Sequence, residues 1–577
     1  MSSLELITNG KPSGNNISRK KTSKGALLDI AALMDAMGGR CMPMLLDRGV
    51  VAQYGKRIGF AAAGDAWGMV QVKLCQMEPP VTFEDGFLWA PTGFVAEVLG
   101  GSVTLDEERQ TLEVAAPPPL QIGDIEPSAK DLLPALESLG YRVEQGDMCL
   151  SDAIDVCFAG YSPNANGNNA GFPYLCIQAP QPPGIDHAAV SPSIAFTMRE
   201  DEGFVLIGRT PPDCDYYSFR SYLASRCLST VNPFERQKIY TQLGDPVNSY
   251  NVQEDMFYPP QASKVDGVFE SFFILVSTAD RRLYDDLLHA VDEAGLDTGK
   301  VLLDVIDSGL VRFGNDDFAD LFNVLHRFSN PHDKAAGEVY TTRPTLEVLR
   351  LTPLKERKAE FLQPFPARQR GSGTNEDHLQ RSLLALRKSI IDTYSSRYCI
   401  RELDTQIWLG DTGEQAIARL EDVLGETRDT LYLRSESFPF NPDTLVIVYG
   451  VNHNTIPKTV YTNVSCYGER YFNGFGGITN ADYAGNVARN FPELEYVAEM
   501  DRLYVWKFAR TRLDGDTFAV PQDTGRNLRG INDGDTAFIG FRNYVDPGSP
   551  DLIGPDPDEI IFDRAIVLTP IPSPDPR

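Results

Sequence analysis

Two short apolar runs, far apart in the chain, each end at a glycine and lead into a polar segment rich in tyrosine. The runs cover residues 204–208 and 445–450, and their uninterrupted hydrophobic character is typical of buried β-strands. After each run come a tyrosine with a hydroxyl residue, a second tyrosine and an arginine. These residues are Tyr217, Ser218, Tyr222 and Arg226 in the first segment and Tyr461, Thr462, Tyr467 and Arg470 in the second. The pattern predicts two related β-rich units.

The segments before the two runs also correspond. Asn169 and Tyr174 precede the first run, and Asp429 and Tyr432 precede the second. A duplication of this kind favours a cleft between the two units, in which polar side chains from both could meet. It does not by itself define a reaction.

Between and around these segments, apolar residues recur at the spacing of an α-helix. The clearest stripe is Leu379, Leu383, Leu386 and Ile390, with Thr374 predicted as the N-cap. The other predicted elements are helices at 26–41, 94–99 and 317–328, a helix and a strand within 131–146, a strand–helix–strand at 269–306 capped by Ser277 or Thr278, and strands at 346–351 and 560–568. The glycine-rich segment 472–477 is predicted to be a mobile loop.

The predicted fold class is α+β, with a small α+β N-terminal domain followed by the two related β-rich units and an α/β layer between them. At 577 residues the chain has room for three or four domains. Pro117, Pro118 and Pro119 mark a linker. The expected parts are a flexible leader at 1–25, the N-terminal domain at 26–115, the first β-rich unit at 120–255, the α/β segment at 256–370, a helical segment at 371–427, and the second β-rich unit with its proline-rich tail at 428–577.

The charge of the chain narrows the classes of partner. Its formal net charge is −27, which argues against nucleic acid because the phosphates would be repelled. No apolar run is long enough to span a membrane, and the N-terminus lacks the apolar core of a signal peptide. We therefore expect a cytoplasmic protein, with export as the alternative. The nine cysteines show no C-x-x-C spacing, which favours free thiols. The sequence assigns no residue to a metal site, and it leaves the cofactor, metal binding and the oligomeric state open.

Residues 26–115 contain the motifs DGFLWAP, FVAEVLGG, SVTLD and QTLEV. In these motifs the region resembles the copper amine oxidase N-terminal-like (stalk) domain of bacterial proteins. The resemblance implies a small α+β accessory module and no catalysis. True copper amine oxidases need an H-x-H motif, which the sequence lacks, and a tyrosine followed by an acid, whereas Val545 follows Tyr544 here. We therefore exclude amine oxidation.

Two further motifs are similar to a pair of uncharacterised bacterial domains with a jelly-roll-like scaffold. Residues 427–432 approximate the first motif, with Thr427 in place of asparagine, and residues 211–218 approximate the second, with Asp215 in place of arginine. The two motifs occur in reversed order. This resemblance favours a β-sandwich and implies nothing about chemistry.

The candidate site is centred on His453, which follows an apolar strand in the polar segment Asn452, His453, Asn454 and Thr455. His453 could serve as a general base or a lone metal ligand, or it could be a hydrogen-bonded turn residue. Arg428 and Asp429 could act in catalysis or form an ion pair with each other. The predicted catalytic residues are His453, Tyr461, Arg428 and Asp429, and the predicted substrate-binding residues are Tyr217, Ser218, Tyr222, Arg226, Asn452 and Asn463.

Two functional hypotheses follow from these residues. The first is an enzyme of the hydrolase type that processes a small molecule in a pocket between the duplicated units. The second is a non-catalytic protein of the bacterial cell envelope that binds a small-molecule or polymer ligand. The sequence lacks the phosphate-loop, nucleophile-elbow and H-E-x-x-H motifs, which leaves the reaction undefined.

Overall fold

The computed structural model describes residues 2–43, 49–54, 57–64, 66–70, 73–116, 129–158, 160, 162–171, 174–180, 194–253, 265–410, 413–523 and 528–571. Strands hold 41% of the residues and helices 19%, so the protein is β-rich. None of the helices in these ranges is long and apolar enough to cross a membrane. The predicted proline linker at Pro117, Pro118 and Pro119 lies outside the described residues.

The strands fall into an N-terminal domain and two larger units. The N-terminal strands are β1 Ser2–Thr8, β2 Lys11–Thr22, β3 Gly25–Asp29, β4 Arg40–Pro43, β5 Gly49–Tyr54, β6 Arg57–Ala62, β7 Trp67–Val70, β8 Lys73–Gln76, β9 Thr82–Glu84, β10 Phe87–Pro91, β11 Ser102–Asp106 and β12 Thr111–Ala115. The first unit contains β13 Tyr141–Gln145, β14 Asp147–Ser151, β15 Tyr174–Gln178, β16 Gly203–Arg209, β17 Cys214–Cys227, β18 Arg236–Gln242, β19 Val247–Asn248, β20 Phe272–Thr278, β21 Val301–Val305, β22 Leu321–Pro331 and β23 Leu346–Pro353. The second unit contains β24 Tyr398–Leu403, β25 Thr405–Leu409, β26 Thr430–Ser435, β27 Phe438–Pro439, β28 Leu445–Val451, β29 Tyr461–Gly468, β30 Asn473–Thr479, β31 Leu503–Ala509, β32 Thr517–Ala519, β33 Thr536–Tyr544 and β34 Arg564–Pro570.

The α-helices are short apart from two. They are α1 Ile30–Ala36, α2 Thr92–Leu99, α3 Leu133–Ser138, α4 Ala153–Phe158, α5 Arg281–Glu293, α6 Lys334–Thr342, α7 Gln380–Tyr394, α8 Gly413–Arg419 and α9 Asn486–Asn490. Short 3₁₀ turns occur at Ala129–Asp131, Thr298–Lys300, Asp377–Leu379, His453–Thr455, Asn480–Asp482, Pro492–Leu494 and Met500–Arg502.

The N-terminal domain begins at the first strand, and the predicted flexible leader at 1–25 is wrong. β1 pairs with β2 and β12, and β2 also pairs with β3, so both strands lie inside a seven-stranded sheet. Leu4, Leu6 and Ile17 are buried in the core of this domain. The hairpin between β1 and β2 turns at Asn9 and Gly10, which both have positive φ, as a two-residue type I′ turn requires.

Two helices cover this sheet. The predicted helix at 26–41 is replaced by β3 followed by α1, because the side chain of Asp29 accepts a hydrogen bond from the backbone of Ala32 and starts the helix there. The predicted helix at 94–99 is confirmed as α2, which ends at Gly100 in the left-handed conformation.

The two larger units have the same topology. Each contains an outer sheet, ordered β13-β23-β16-β20-β21 in the first unit and β24-β34-β28-β31-β32 in the second. Each also contains an inner sheet, ordered β14-β15-β22-β17-β18 in the first and β25-β26-β33-β29-β30 in the second. In both outer sheets the last two strands are parallel and the other pairs are antiparallel. The predicted duplication of strand order is confirmed.

The layers of the two units mirror each other. Helices α3 and α5 cover the outer sheet of the first unit, and α7 and α9 cover that of the second. The buried stripe of α7 is the predicted Leu379, Leu383, Leu386 and Ile390. A second apolar core lies between the outer and inner sheet of each unit. The remaining faces of the two inner sheets pack against each other.

One short helix of each unit packs into the core of the other. Helix α4 lies between β14 and β15 in the chain, yet Ala153, Ile154 and Cys157 belong to the core of the second unit. Helix α8 lies between β25 and β26, and its Ala416 and Ile417 belong to the core of the first unit. The units are therefore joined by an exchange of equivalent helices as well as by their inner sheets.

Several predicted boundaries and elements need correction. Strands β20, β21 and β23 share a sheet with β16, so no separate α/β layer starts at residue 256. Strands β24 and β25 belong to the sheets of the second unit, which therefore begins before residue 428. The predicted helix at 317–328 is strand β22, and the predicted mobile loop at 472–477 falls mostly within β30.

The predicted caps also change. Asp280 caps α5 in place of Ser277 or Thr278, and a 3₁₀ turn at Asp377–Leu379 leads into α7, so Thr374 does not cap it. The strand–helix–strand at 269–306 is otherwise confirmed as β20, α5 and β21. The strand predicted at 346–351 is confirmed as β23, and the strand predicted at 560–568 begins later, as β34.

Candidate functional site

The layer between the two inner sheets is built from buried arginine and tyrosine. Arg327 on β22 lies over the rings of Tyr174 and Tyr222, with its Cζ 5.7 and 5.4 Å from the ring centres. Arg542, on the corresponding strand β33, lies over Tyr432 and Tyr467 at 5.6 and 5.8 Å. Both guanidinium groups are almost fully buried. Cation–π contacts and hydrogen bonds compensate for part of the cost of removing each charge from water.

The hydrogen bonds of this layer identify equivalent positions in the two units. Tyr222 donates to the carbonyl of Glu426 at 3.0 Å, and Tyr467 donates to the carbonyl of Asn168 at 2.9 Å. The carbonyls one residue earlier, of Gly425 and Gly167, accept from Arg327 and Arg542. The segments 167–171 and 425–429 are therefore structural counterparts, in which Ala170 corresponds to Arg428 and Gly171 to Asp429.

Five of the ten predicted site residues lie in this layer: Ser218, Tyr222, Asp429, Tyr461 and Asn463. Asp429 is buried and accepts hydrogen bonds from Tyr216, at 2.7 Å, and Thr427, at 2.8 Å. Burial raises the pKa of the Asp429 carboxyl, although these bonds act in the opposite direction. Ser218 donates to the same Tyr216 hydroxyl at 2.7 Å, because the single proton of that hydroxyl is given to Asp429. The bond between Tyr216 and Asp429 therefore links the inner sheet of the first unit to the second unit.

Tyr461 and Asn463 occupy the same layer on β29. The hydroxyl of Tyr461 accepts a hydrogen bond from Asn169 Nδ2 at 3.3 Å, and burial raises its pKa to about 12. The side chain of Asn463 accepts from Ser465 at 3.0 Å. Both side chains are about 1% exposed. Both side chains contact the first unit in an interface that solvent does not reach.

Two predicted substrate-binding residues lie outside this layer. Tyr217 faces the core of the first unit and donates to the carbonyl of Val268 at 2.6 Å. Arg226, near the end of β17, binds Asp320 through both Nε and Nη2, at 3.0 and 2.6 Å. Tyr217 and Arg226 therefore lie apart from the predicted site residues of this layer.

Arg428 forms an ion pair, but its partner is not Asp429. Its Nη1 lies 2.8 Å from Asp245 Oδ1, and its Nη2 donates to the carbonyl of Arg368 at 2.7 Å. Its backbone donates to Gln242 in β18. The side chain thus fills the space beside β18 in the first unit.

His453 lies in a 3₁₀ turn after β28 and is 1% exposed. Its Nδ1 is 2.6 Å from Glu376 Oε1, and its Nε2 is 3.7 Å from Asp563 Oδ2. Burial alone would lower the pKa of His453, but the two carboxylates raise it to about 10. The closed void beside the ring has no room for a water molecule. A histidine that stays protonated at neutral pH cannot serve as a general base there.

Asn452, the neighbour of His453, is 8% exposed, and its backbone donates to the carbonyl of Arg502 at 2.7 Å. The void beside the His453 ring is also lined by Thr462, Asn463 and Arg542, so this turn lies next to β29 and β33. The described residues that line this void include neither Tyr461 nor Asp429.

An open cleft of about 380 Å³ lies between the two units. It is found at the edge of the layer of buried arginine and tyrosine between the inner sheets, which we call the tyrosine layer. The first unit contributes residues 151–154, 168–171 and Tyr174, and the second contributes residues 474–476 of β30, Phe518, Pro521 and Arg529. None of the predicted site residues is among these described lining residues. Asn169 connects the two regions, since it lines the cleft and donates to Tyr461.

The cleft combines aromatic rings with one cluster of charges. Phe475, Phe518 and Tyr174 are among its lining residues. Arg529 binds the carboxylates of Asp152 and Asp155, at 2.6 and 2.7 Å. Burial and the neighbouring Asp152 raise the pKa of Asp155, whereas Arg529 acts in the opposite direction. The lining is therefore polar, with its charges largely compensated.

The position equivalent to this cleft, at residues 428 and 429 of the second unit, is closed. There, Arg428 and Asp429 stand in place of Ala170 and Gly171, and their side chains bind Asp245 and Tyr216. A Cβ atom on Gly171 would lie 3.3 Å from the hydroxyl of Tyr461, which shows how closely the second unit approaches. The cleft is therefore open at one of two equivalent positions because its residues are smaller.

The sequence contains a signal for this cleft that composition and single motifs do not show. The segments GNNAGFPY and GETRDTLY align without gaps from glycine to tyrosine, and this alignment places Ala170 opposite Arg428. The contributions of Phe518 and Arg529 have no such signal, because they depend on contacts between distant parts of the chain.

No protein-family model and no curated protein sequence matches the chain. Among solved structures, an uncharacterised protein from Burkholderia cenocepacia aligns with a TM-score of 0.33 and 11% identity, covering 76% of this chain and 87% of that one. A likeness of this strength carries no conclusion about fold or function.

Proposed function

We propose that the chain binds a small, neutral, polyhydroxylated molecule, such as a monosaccharide, in the cleft between its two units. The observation that carries the proposal is the difference between the two equivalent positions. Arg428 and Asp429 close one of them with internal hydrogen bonds, whereas Ala170 and Gly171 leave the other open. Open, partly apolar clefts with a few polar groups are where small molecules bind.

The chemistry of the lining favours a neutral ligand. The guanidinium of Arg529 is already bound to Asp152 and Asp155, so the cleft offers no uncompensated cation for an anionic group. The net charge of −27 also repels anions. Aromatic rings such as Phe475 and Phe518 suit the apolar faces of a sugar ring, and planar charged groups suit its hydroxyls.

Binding is better supported than hydrolysis. The predicted base His453 is buried beside two carboxylates and stays protonated at neutral pH. The described lining of the cleft contains no histidine, lysine or cysteine. Without a nucleophile next to a base, acyl or phosphoryl transfer lacks its usual machinery. The accessory role of the N-terminal domain, implied by its resemblance to the stalk domain, agrees with a binding protein.

The test is saturation-transfer NMR on the full chain with D-glucose, D-galactose and N-acetyl-D-glucosamine. We expect transfer to at least one of these sugars, and we expect Ala170→Arg to weaken its binding at least tenfold by filling the cleft. Ala335→Arg, at an exposed position of α6, is the matched control and should bind as the wild type does. Absence of transfer to all three sugars, or undiminished binding by Ala170→Arg, would contradict the proposal.

A further inference from the structure

A second and larger cleft, of about 700 Å³, lies beside the first. The two clefts share three segments of chain. Cys157 lines the second cleft and Ile154 the first, one turn apart on α4. Asn473 and Gly474 are consecutive in β30, and Leu528 and Gly530 flank Arg529. The clefts therefore lie on either side of Arg529.

The segment between the clefts is fixed at both ends. The side chain of Asn473 donates to the carbonyl of Leu528 at 2.6 Å, which holds the segment against β30. Arg529 reaches across to Asp152 and Asp155 on the first unit, and its side chain is 41% exposed. A ligand that passed from one cleft to the other would cross the exposed guanidinium.

The second cleft repeats the chemistry of the first. The guanidinium of Arg470 lies over the ring of Tyr471, with Cζ 4.9 Å from the ring centre, and both residues line the cleft. Asn532, Asp535 and Thr536 are exposed on the same lining and provide amide, carboxylate and hydroxyl groups. Both clefts thus offer planar polar groups beside an aromatic ring.

We infer that the two clefts form one groove that binds a linear polymer of neutral sugars, and this inference rests on the proposed function. Each cleft alone falls within the range of about 300–1,000 Å³ that is usual for one small ligand. Together they exceed what a single monosaccharide fills. A nucleic acid would be repelled by the net charge of −27. The mixture of opposite charges and rings along the groove fits a hydroxyl-rich neutral chain.

The geometry has a consequence for affinity. When a first sugar occupies the cleft at Ala170, a linked sugar is delivered to the cleft at Arg470 at high effective concentration. A tetramer should therefore bind at least tenfold more tightly than its monomer. Removing a contact in the second cleft should affect the tetramer alone.

The experiment is isothermal titration calorimetry on the full chain with N-acetyl-D-glucosamine, D-glucose, and the β-1,4-linked tetramer of each. Three variants are compared: Arg470→Ala in the second cleft, Ala170→Arg in the first, and Arg381→Ala at an exposed position of α7 as the matched control. We expect Arg470→Ala to weaken the tetramer about fivefold to tenfold and to leave the monomer unchanged. Ala170→Arg should weaken both, and Arg381→Ala neither.

The two proposals fail in different ways. If a monomer binds but its tetramer binds no more tightly, or if Arg470→Ala leaves the tetramer unaffected, the groove is overturned while the single-sugar site stands. If neither monomer nor tetramer binds, the proposed function itself fails. Tetra-alanine is titrated in the same way as a peptide of similar length. If it binds at least as tightly as the better sugar tetramer, the polymer is a peptide and the sugar assignment is overturned.

Discussion

Arg327 and Arg542 occupy equivalent positions in the two units, and each donates a hydrogen bond to a glycine carbonyl of the other unit. Arg327 Nη2 lies 2.7 Å from the carbonyl oxygen of Gly425, and Arg542 Nη2 binds the carbonyl oxygen of Gly167. The relationship is reciprocal, so the two buried cations act as a matched pair of links across the tyrosine layer.

Replacing one of these arginines should destabilise the protein strongly. Arg327→Lys keeps the charge but loses the planar group that donates to Gly425 and to Tyr222. We expect the free energy of unfolding to fall by about 2–4 kcal/mol, because a buried charge would lose part of its compensation. Urea denaturation of the full chain measures this change. The exposed Arg381→Lys serves as control, and equal stability of the two variants would refute the role of Arg327.

The buried His453 should make stability depend on pH in a defined direction. Its pKa is raised to about 10 in the folded protein, above the value of about 6.5 expected in the unfolded chain. The stabilisation is therefore fully present below pH about 6.5 and is lost as the pH rises towards 10. At pH 6, His453→Gln should lower the free energy of unfolding by about 3–5 kcal/mol, because Glu376 would lose its charged partner.

The measurement is urea denaturation of the wild type and of His453→Gln at pH 6, 8 and 10. The difference between the two proteins should shrink as the pH rises. A constant small difference across the series would show that Glu376 and Asp563 do not stabilise a charged His453.

The first 25 residues should be required for the N-terminal domain to fold. Strands β1 and β2 lie inside its sheet and contribute Leu4, Leu6 and Ile17 to its core. A fragment of residues 1–116 should give a dispersed amide NMR spectrum, whereas a fragment of residues 26–116 should not, because it lacks two inner strands. A dispersed spectrum from the shorter fragment would restore the predicted boundary at residue 26.

The exchanged helices should couple the two cores. Ile154 on α4 is buried in the core of the second unit, and Ile417 on α8 in that of the first. Ile154→Ala and Ile417→Ala should each lower the free energy of unfolding by about 2–4 kcal/mol. Hydrogen exchange locates the effect: Ile154→Ala should speed exchange in β28, in the unit that does not contain it. Val339→Ala, at an exposed position, should change stability by less than about 0.5 kcal/mol. Faster exchange confined to β14 and β15 would argue against the coupling.

Local periodicity predicted those elements whose pattern of apolar residues matches the spacing of a single regular structure. The stripe Leu379, Leu383, Leu386 and Ile390 and the run before Gly450 are examples, since each fits only one regular structure. Residues 317–328 are compatible with both a helix and a strand. Leu321, Leu325 and Phe328 have helical spacing, whereas Phe322, Val324 and Phe328 alternate as in a strand. The segment is a strand because it pairs with β15 and β17. That pairing joins residues about 100 to 150 positions apart, which a local pattern cannot show.

The same limit explains the outcome for the candidate site. A polar segment such as Asn452 and His453 is equally compatible with an open loop and with burial beside distant carboxylates. Glu376 and Asp563 supply those carboxylates from opposite sides of the sequence. The leader, in contrast, contained a local signal in Asn9 and Gly10 between apolar residues, although its polar composition favoured a flexible tail.

The exchange of α4 and α8 also bears on how the chain folds during its synthesis. Domains generally fold as they leave the ribosome, starting from the N-terminus. The first unit has all its strands once β23 has emerged, but the edge of its core at β18 is covered by α8, which ends at Arg419. Until that point the exposed apolar edge has no partner within the completed part of the chain. The core of the first unit is therefore completed only when α8, an early element of the second unit, has been synthesised.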